Sequence, residues 1–112
     1  MLAQRLMGTT SPSLLYQCPD QYTKTYIRNI TIANVTGGNL SYSLWINQGG
    51  TATGDQFCMA KSVTISANST TQFSLYSDIA WVLDGSSASL MGSSSAANGI
   101  TFTVFGTEVT EL

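Results

Sequence analysis

Six side-chain carboxylates, two thiols and no histidine make up the reactive groups of this 112-residue chain. Histidine is the commonest general base and the commonest zinc ligand, so both kinds of chemistry lose their usual carrier. The acids are Asp20, Asp55, Asp78, Asp84, Glu108 and Glu111, and they are scattered. None starts a D-x-D-x-D-G calcium loop. A glycosidase pair would need two of these six to meet in space, and Glu108 and Glu111 read as solvated end-of-chain charges. Cys18 and Cys58 lie 40 residues apart, without the C-x-x-C spacing of a metal or redox site. They read as buried free thiols, with a single disulfide as the alternative. GGTATG, at 49–54, is glycine-rich, but no Lys-Ser/Thr follows it at the spacing a phosphate loop requires, and no helix is predicted to present its N-terminus to a phosphate. Four N-x-S/T sequons begin at Asn29, Asn34, Asn39 and Asn68. In a chain this rich in Ser and Thr such triplets arise by chance, and with no signal peptide predicted they carry no meaning. The sequence therefore assigns no catalytic residue, no metal ligand and no cofactor.

What remains is binding. Tyr16, Tyr22, Tyr26, Tyr42, Trp45, Tyr76 and Trp81 could line a sugar-binding surface, which makes a carbohydrate-binding β-sandwich module the alternative function. Trp45 alternates with Leu44 and Ile46 and so shares a face with serines. An outward Trp is an interface anchor or a carbohydrate platform; the competing reading is that a second sheet or a loop covers it. Leu2, Leu6 and Met7 stand among turn-forming residues before Pro12, which breaks any helix there. Residues 1–13 are predicted as an extended arm, disordered alone and ordered against Leu- or Val-rich surface of a neighbouring subunit. A frayed terminus without a role is the plain alternative.

The elements that would hold these residues are strands. Ser13 to Cys18 is one, stopped by Pro19. TKTYIRNITIANV is rich in β-branched residues and puts Tyr26, Ile30 and Ile32 on one face. After the turn at Gly37-Gly38-Asn39, LSYSLWI alternates with a period of two, as a half-buried antiparallel strand does. Residues 48–56 read as a loop and strand material resumes at Phe57. Asn68-Ser69 is a turn, IAWVLDG is either a strand or a helical turn, and a weak strand through Ala88 and Leu90 runs into a loop at 92–99. In ITFTVFGTEVTEL, Gly106 is expected to mark a bulge that resets the alternation before Val109. About eight short strands, with turn signals every 8–12 residues, predict an all-β antiparallel sandwich or jelly roll over 14–112. Its core is expected to hold Ile30, Ile32, Leu40, Tyr42, Leu44, Ile46, Val63, Ile65, Phe73, Leu75, Ile100, Phe102 and Val104.

Composition narrows the partners. Charged residues are 9% of the chain, against about 25% in an average globular protein. Ser and Thr, 15 of each, supply the polarity instead. Four basic residues and a net charge of −2 cannot neutralise a run of phosphates, which argues against nucleic acid and against an anionic membrane surface. A low-charge surface resists association poorly, so either much of it is meant to be covered or the hydroxyls alone keep it wet. No stretch approaches the ~20 apolar residues of a membrane span. The N-terminus lacks the apolar run of a signal peptide, which predicts synthesis in the cytoplasm.

Three stretches resemble a group of small β proteins encoded among the virion structural genes of tailed bacteriophages. They are the opening Leu15-Tyr16 with Pro19, the strand Arg28 to Asn34 (R-N-I-T-I-A-N), and the terminal strand Ile100 to Thr110. The turn at 67–70 before Phe73 fits the same layout, and the resemblance covers roughly 14–110. It departs at Pro19-Asp20-Gln21, where the similar proteins follow Pro with a small residue and Gly. The resemblance implies a non-enzymatic virion protein, either capsid decoration or cement on the head or a neck or tail-tip component. The host cytoplasm would make it, and its partners would be the major capsid protein or neck and tail proteins. Self-association is implied too, a trimer by analogy with other head proteins. It supplies no binding residues.

Overall fold

The structure, a computed structural model, describes residues 2–19, 22–47, 53–74, 81–84 and 88–110. Nine strands lie among them: β1 (Ala3–Leu6), β2 (Ser13–Gln17), β3 (Thr23–Asn34), β4 (Leu40–Asn47), β5 (Cys58–Ile65), β6 (Thr70–Ser74), β7 (Trp81–Asp84), β8 (Ser89–Ser94) and β9 (Ile100–Thr110). A single 3-10 turn, Asp55–Phe57, precedes β5. All pairings are antiparallel. The five-stranded sheet runs β1-β9-β3-β6, with β7 also on β3; the four-stranded sheet runs β2-β8-β4-β5. β6 pairs with Asn29–Ala33 and β7 with Lys24–Ile27, so the two share one position along β3. The chain thus fills eight positions and crosses between sheets at nearly every connection. That connectivity is a two-sheet jelly roll, and the expectation of an all-β sandwich is met.

Pairing of β3 with β9 is the spine, from Thr23↔Thr110 to Asn34↔Ile100. β-branched residues suit these pleated, half-buried positions. Ile27, Ile30, Ile32, Ile100, Phe102 and Val104 are fully buried on the inner face. From the other sheet come Leu44, Leu90, Tyr42 and Ile65, and Tyr42 meets Phe102 edge to face with ring centroids 6.3 Å apart. Each such side chain contributes roughly 1.5–3 kcal/mol by leaving water.

Four expectations about faces need correction. The register slip in the spine falls between Ile27 and Asn29, where β3 takes two steps against one on β9. Arg28 is the extra residue, so Ile27 rather than Tyr26 shares the inner face with Ile30 and Ile32. β9 keeps its alternation through Gly106, and no reset occurs before Val109, which is 40% exposed. Gly106 is nevertheless required, because a Cβ there would run into the Tyr26 carbonyl oxygen. Val63 is 39% exposed. β5 is an edge strand that takes three steps where β4 takes two, and Ser62 adopts φ 51° in the resulting bulge. β8 continues to Ser94, into the stretch expected to be a loop from 92. Among the other core candidates, Leu40 and Ile46 are partly buried; the Phe73 side chain and Leu75 lie outside the described residues.

The largest change concerns the N-terminus. Instead of leaving the domain as an arm, Ala3–Leu6 pairs with β9 from Ala3↔Val104 to Leu6↔Thr101. Arg5 reaches across the sandwich edge to donate to the Leu14 carbonyl at 2.8 Å. Met7 is completely buried in the core. Open backbone groups along β9 supply a partner within the same chain, so the segment needs no neighbour to become ordered.

One end of the sandwich gathers the loops 7–12, 35–39, 66–69 and 95–99, and hydrogen bonds tie them together. The amide of Asn98 donates to the Met7 carbonyl at 2.7 Å, that of Val35 to Gly99 at 2.9 Å, and that of Asn68 to Thr36 at 2.9 Å. Asn34, 2% exposed, anchors the centre. Its Nδ2 donates to the Gly38 carbonyl at 2.8 Å and the Ile65 carbonyl at 3.1 Å, while its Oδ1 accepts from the Thr36 amide and hydroxyl at 3.0 and 2.7 Å. Asn68 and Asn98 take φ of 53° and 57° in their turns, a region Asn tolerates.

Candidate interaction surface

The five residues singled out for binding do not converge. Leu2 is half-buried against the core, its amide donating to the Val104 carbonyl at 2.7 Å. Met7 is a core residue and so presents nothing to a neighbour. Leu6 alone of the three is open, at 47% exposure. Trp45 faces away from Leu44, but it is only 8% exposed, in register with Met91 on β8 and Cys58 on β5. A buried indole is neither a sugar platform nor an interface anchor, and that expectation is corrected. The backbone of Trp81 pairs with Ile27; its side chain lies outside the described residues.

Among the described residues, chemistry-bearing groups do meet between the sheets. The Tyr16 hydroxyl on β2 donates to the Glu108 carboxylate on β9 and lies 2.9 Å from the Thr25 hydroxyl on β3. Cys18 Sγ is 3.2 Å from the same hydroxyl and 3.7 Å from the Thr23 carbonyl. Glu108 reads in the sequence as a free terminal charge, yet it is in register with Thr25 and, though exposed, accepts the Tyr16 hydroxyl. Burial, with the Glu108 carboxylate beside it, pushes the Tyr16 phenol above the ordinary tyrosine range. A phenol that holds its proton more tightly is no base or nucleophile, so the cluster acts as a clamp between β2 and the β3–β9 spine. Both cysteines are free thiols, Cys18 buried and Cys58 partly so. Elsewhere Asp55 and Lys61 form an exposed ion pair at 2.8 Å, which lowers the Asp55 carboxyl. Among the described residues, no three His, Cys, Asp or Glu side chains gather as a metal site, and no helix is long and apolar enough to cross a membrane.

A surface candidate emerges instead from the outer face of the five-stranded sheet. Cross-strand register aligns Leu6, Thr101, Ala33 and Thr70 in one row, and Gln4, Thr103, Thr31 and Gln72 in the next. Gln4 Nε2 donates to Thr103 Oγ1 at 3.0 Å, joining β1 to this hydroxyl array. Beyond them Phe105, 38% exposed, pairs with Asn29, and Tyr26 pairs with Thr107. The alternation of ITFTVFGT, with Ile100, Phe102 and Val104 inward, is the sequence signal that puts Phe105 outside. No protein-family model matches this chain, and no curated protein matches it.

Proposed function

We propose that this protein is a non-enzymatic structural component of a tailed-phage virion, acting as decoration or cement on the head. The observation that carries the reading is the outer face of the five-stranded sheet. β3 is 12 residues long, so the face extends about 40 Å along the strands. It is lined mainly by hydroxyls and amides, with Lys24 in register with Val109 and with Leu6, Phe105 and Val109 open to solvent. Such a face adheres to protein through many neutral contacts and a few apolar ones. The jelly roll adds support by analogy only, since viral capsid proteins and lectins both use it. Electron cryomicroscopy of the particle is the test. Hundreds of copies against the major capsid protein would support decoration, and about a dozen or fewer at the neck or tail would move the protein there. Absence from the particle would end the reading.

A further inference from the structure

The charges of this chain are unevenly placed, and the unevenness follows the fold. No charged residue occurs in 6–19, 29–54, 62–77 or 85–107. All four loops of the stitched end (7–12, 35–39, 66–69 and 95–99) fall inside those stretches. The described charged side chains, Arg5, Lys24, Arg28, Asp55, Lys61 and Glu108, belong to strands or to the 3-10 turn before β5. Soluble proteins ordinarily spread charge over their whole surface, because charge keeps surfaces apart. At this end Val35 is also 56% exposed, more than any other large apolar side chain among the described residues.

We infer that this neutral end is a self-association surface, seated on a symmetry axis so that it meets the same end of further copies of this chain. Around a closed axis, the residues nearest it face their own counterparts. A charge at such a position always meets its own sign at short range, whereas amides, hydroxyls and a valine meet their like without repulsion. Its loops are already fixed by the hydrogen bonds through Asn34, Val35, Asn68 and Asn98, so docking orders little new backbone. The molecule measures 47 × 27 × 21 Å. Two ends of 27 × 21 Å would therefore cover at most about 570 Å² each and about 1,100 Å² together, close to the ~1,000 Å² at which specific interfaces begin. Association should accordingly be weak alone and reinforced when many copies are held side by side.

This inference does not depend on the virion reading, because it concerns the purified protein in solution. Sedimentation velocity from about 10 µM to about 1 mM, at about 0.05 and about 1 M NaCl, tests it. The wild-type chain should form a discrete oligomer whose formation is insensitive to salt. Val35→Asp and Ala97→Asp, on two different loops, should each weaken association at least about tenfold at low salt. High salt should restore part of that loss, since the added charges face their own copies. Unchanged thermal melting would show that both variants fold, and Thr107→Asp, on the outer sheet face, should associate like wild type. A monomer at every concentration, or an oligomer that both loop variants leave intact, would overturn the inference.

Discussion

Gly106 and Gly92 show how differently one added methyl group acts in two places on the same sandwich. At Gly106 the methyl would meet the Tyr26 carbonyl oxygen, a backbone atom fixed in the spine. At Gly92 it would come within 2.7 Å of Leu15 Cδ1, the tip of a side chain that can turn aside. Gly106→Ala should therefore cost about 2–3 kcal/mol and Gly92→Ala about 1 kcal/mol, read from urea midpoints at a common slope. The clamp at Tyr16 makes a second prediction. Tyr16→Phe removes the hydroxyl shared by Glu108 and Thr25 and should cost about 1–2 kcal/mol at neutral pH. Burial raises both the Tyr16 and the Tyr42 phenol above the ordinary tyrosine range. A phenol whose folded-state pKa is raised contributes stability that is complete below its unfolded value and is lost as pH rises through the folded one. Denaturant unfolding should thus be level near neutrality and weaken above about pH 10. Tyr16→Phe should lose less over that alkaline range than wild type, and equal losses in the two proteins would show that the Tyr16 phenol is not responsible.

At the level of elements, β1 separates the plain alternatives for the N-terminus. Met7→Ala should destabilise the domain by about 2–5 kcal/mol, because a fully buried side chain leaves a cavity. A free arm would instead tolerate the change with no shift in thermal melting. What the sequence disclosed follows from where alternation is strict. LSYSLWI and ITFTVF name their inner residues correctly, and Tyr42, Leu44, Ile100, Phe102 and Val104 are buried as expected. Alternation does not reveal a bulge that has no glycine on its own strand, so it passes over the extra residue Arg28 and puts Tyr26 on the wrong face. Nor does it tell which strands sit at an edge, so it assigns the exposed edge residue Val63 to the core. Trp45 lies on the face that alternation assigns to it, but the period of two separates the faces of a sheet without saying what covers each, and here the indole is covered. β1 carries too few residues for any period to show. Its pairing with β9 spans nearly the whole chain, and no local pattern encodes a contact at that distance.

For the whole molecule, the proposed roles of the outer sheet face and the loop end separate experimentally. Phe105→Asp on the outer face should leave thermal melting within about 1–2 °C of wild type, since surface changes seldom exceed ~0.5 kcal/mol. On the particle, the same change should lower occupancy at least about tenfold; full occupancy would move the contact off that face. The position of β9 has a consequence for how the protein comes into being. β9 is the last of the nine strands to leave the ribosome, yet it lies between β1 and β3 in the finished sheet. Until then the ribosome holds a chain whose earlier strands, β1 among them, lack their central partner. At roughly 5–20 residues per second, β1 waits several seconds or more for that partner. Through that interval the β3 edge and the apolar faces of Ile27, Ile30 and Ile32 stay open to solvent and to other nascent chains. Slow, long-range closure of this kind favours aggregation during rapid synthesis. Expression at lower temperature, or with a chaperone that shields exposed strands, should therefore raise the soluble yield, even though the completed fold buries every one of those residues.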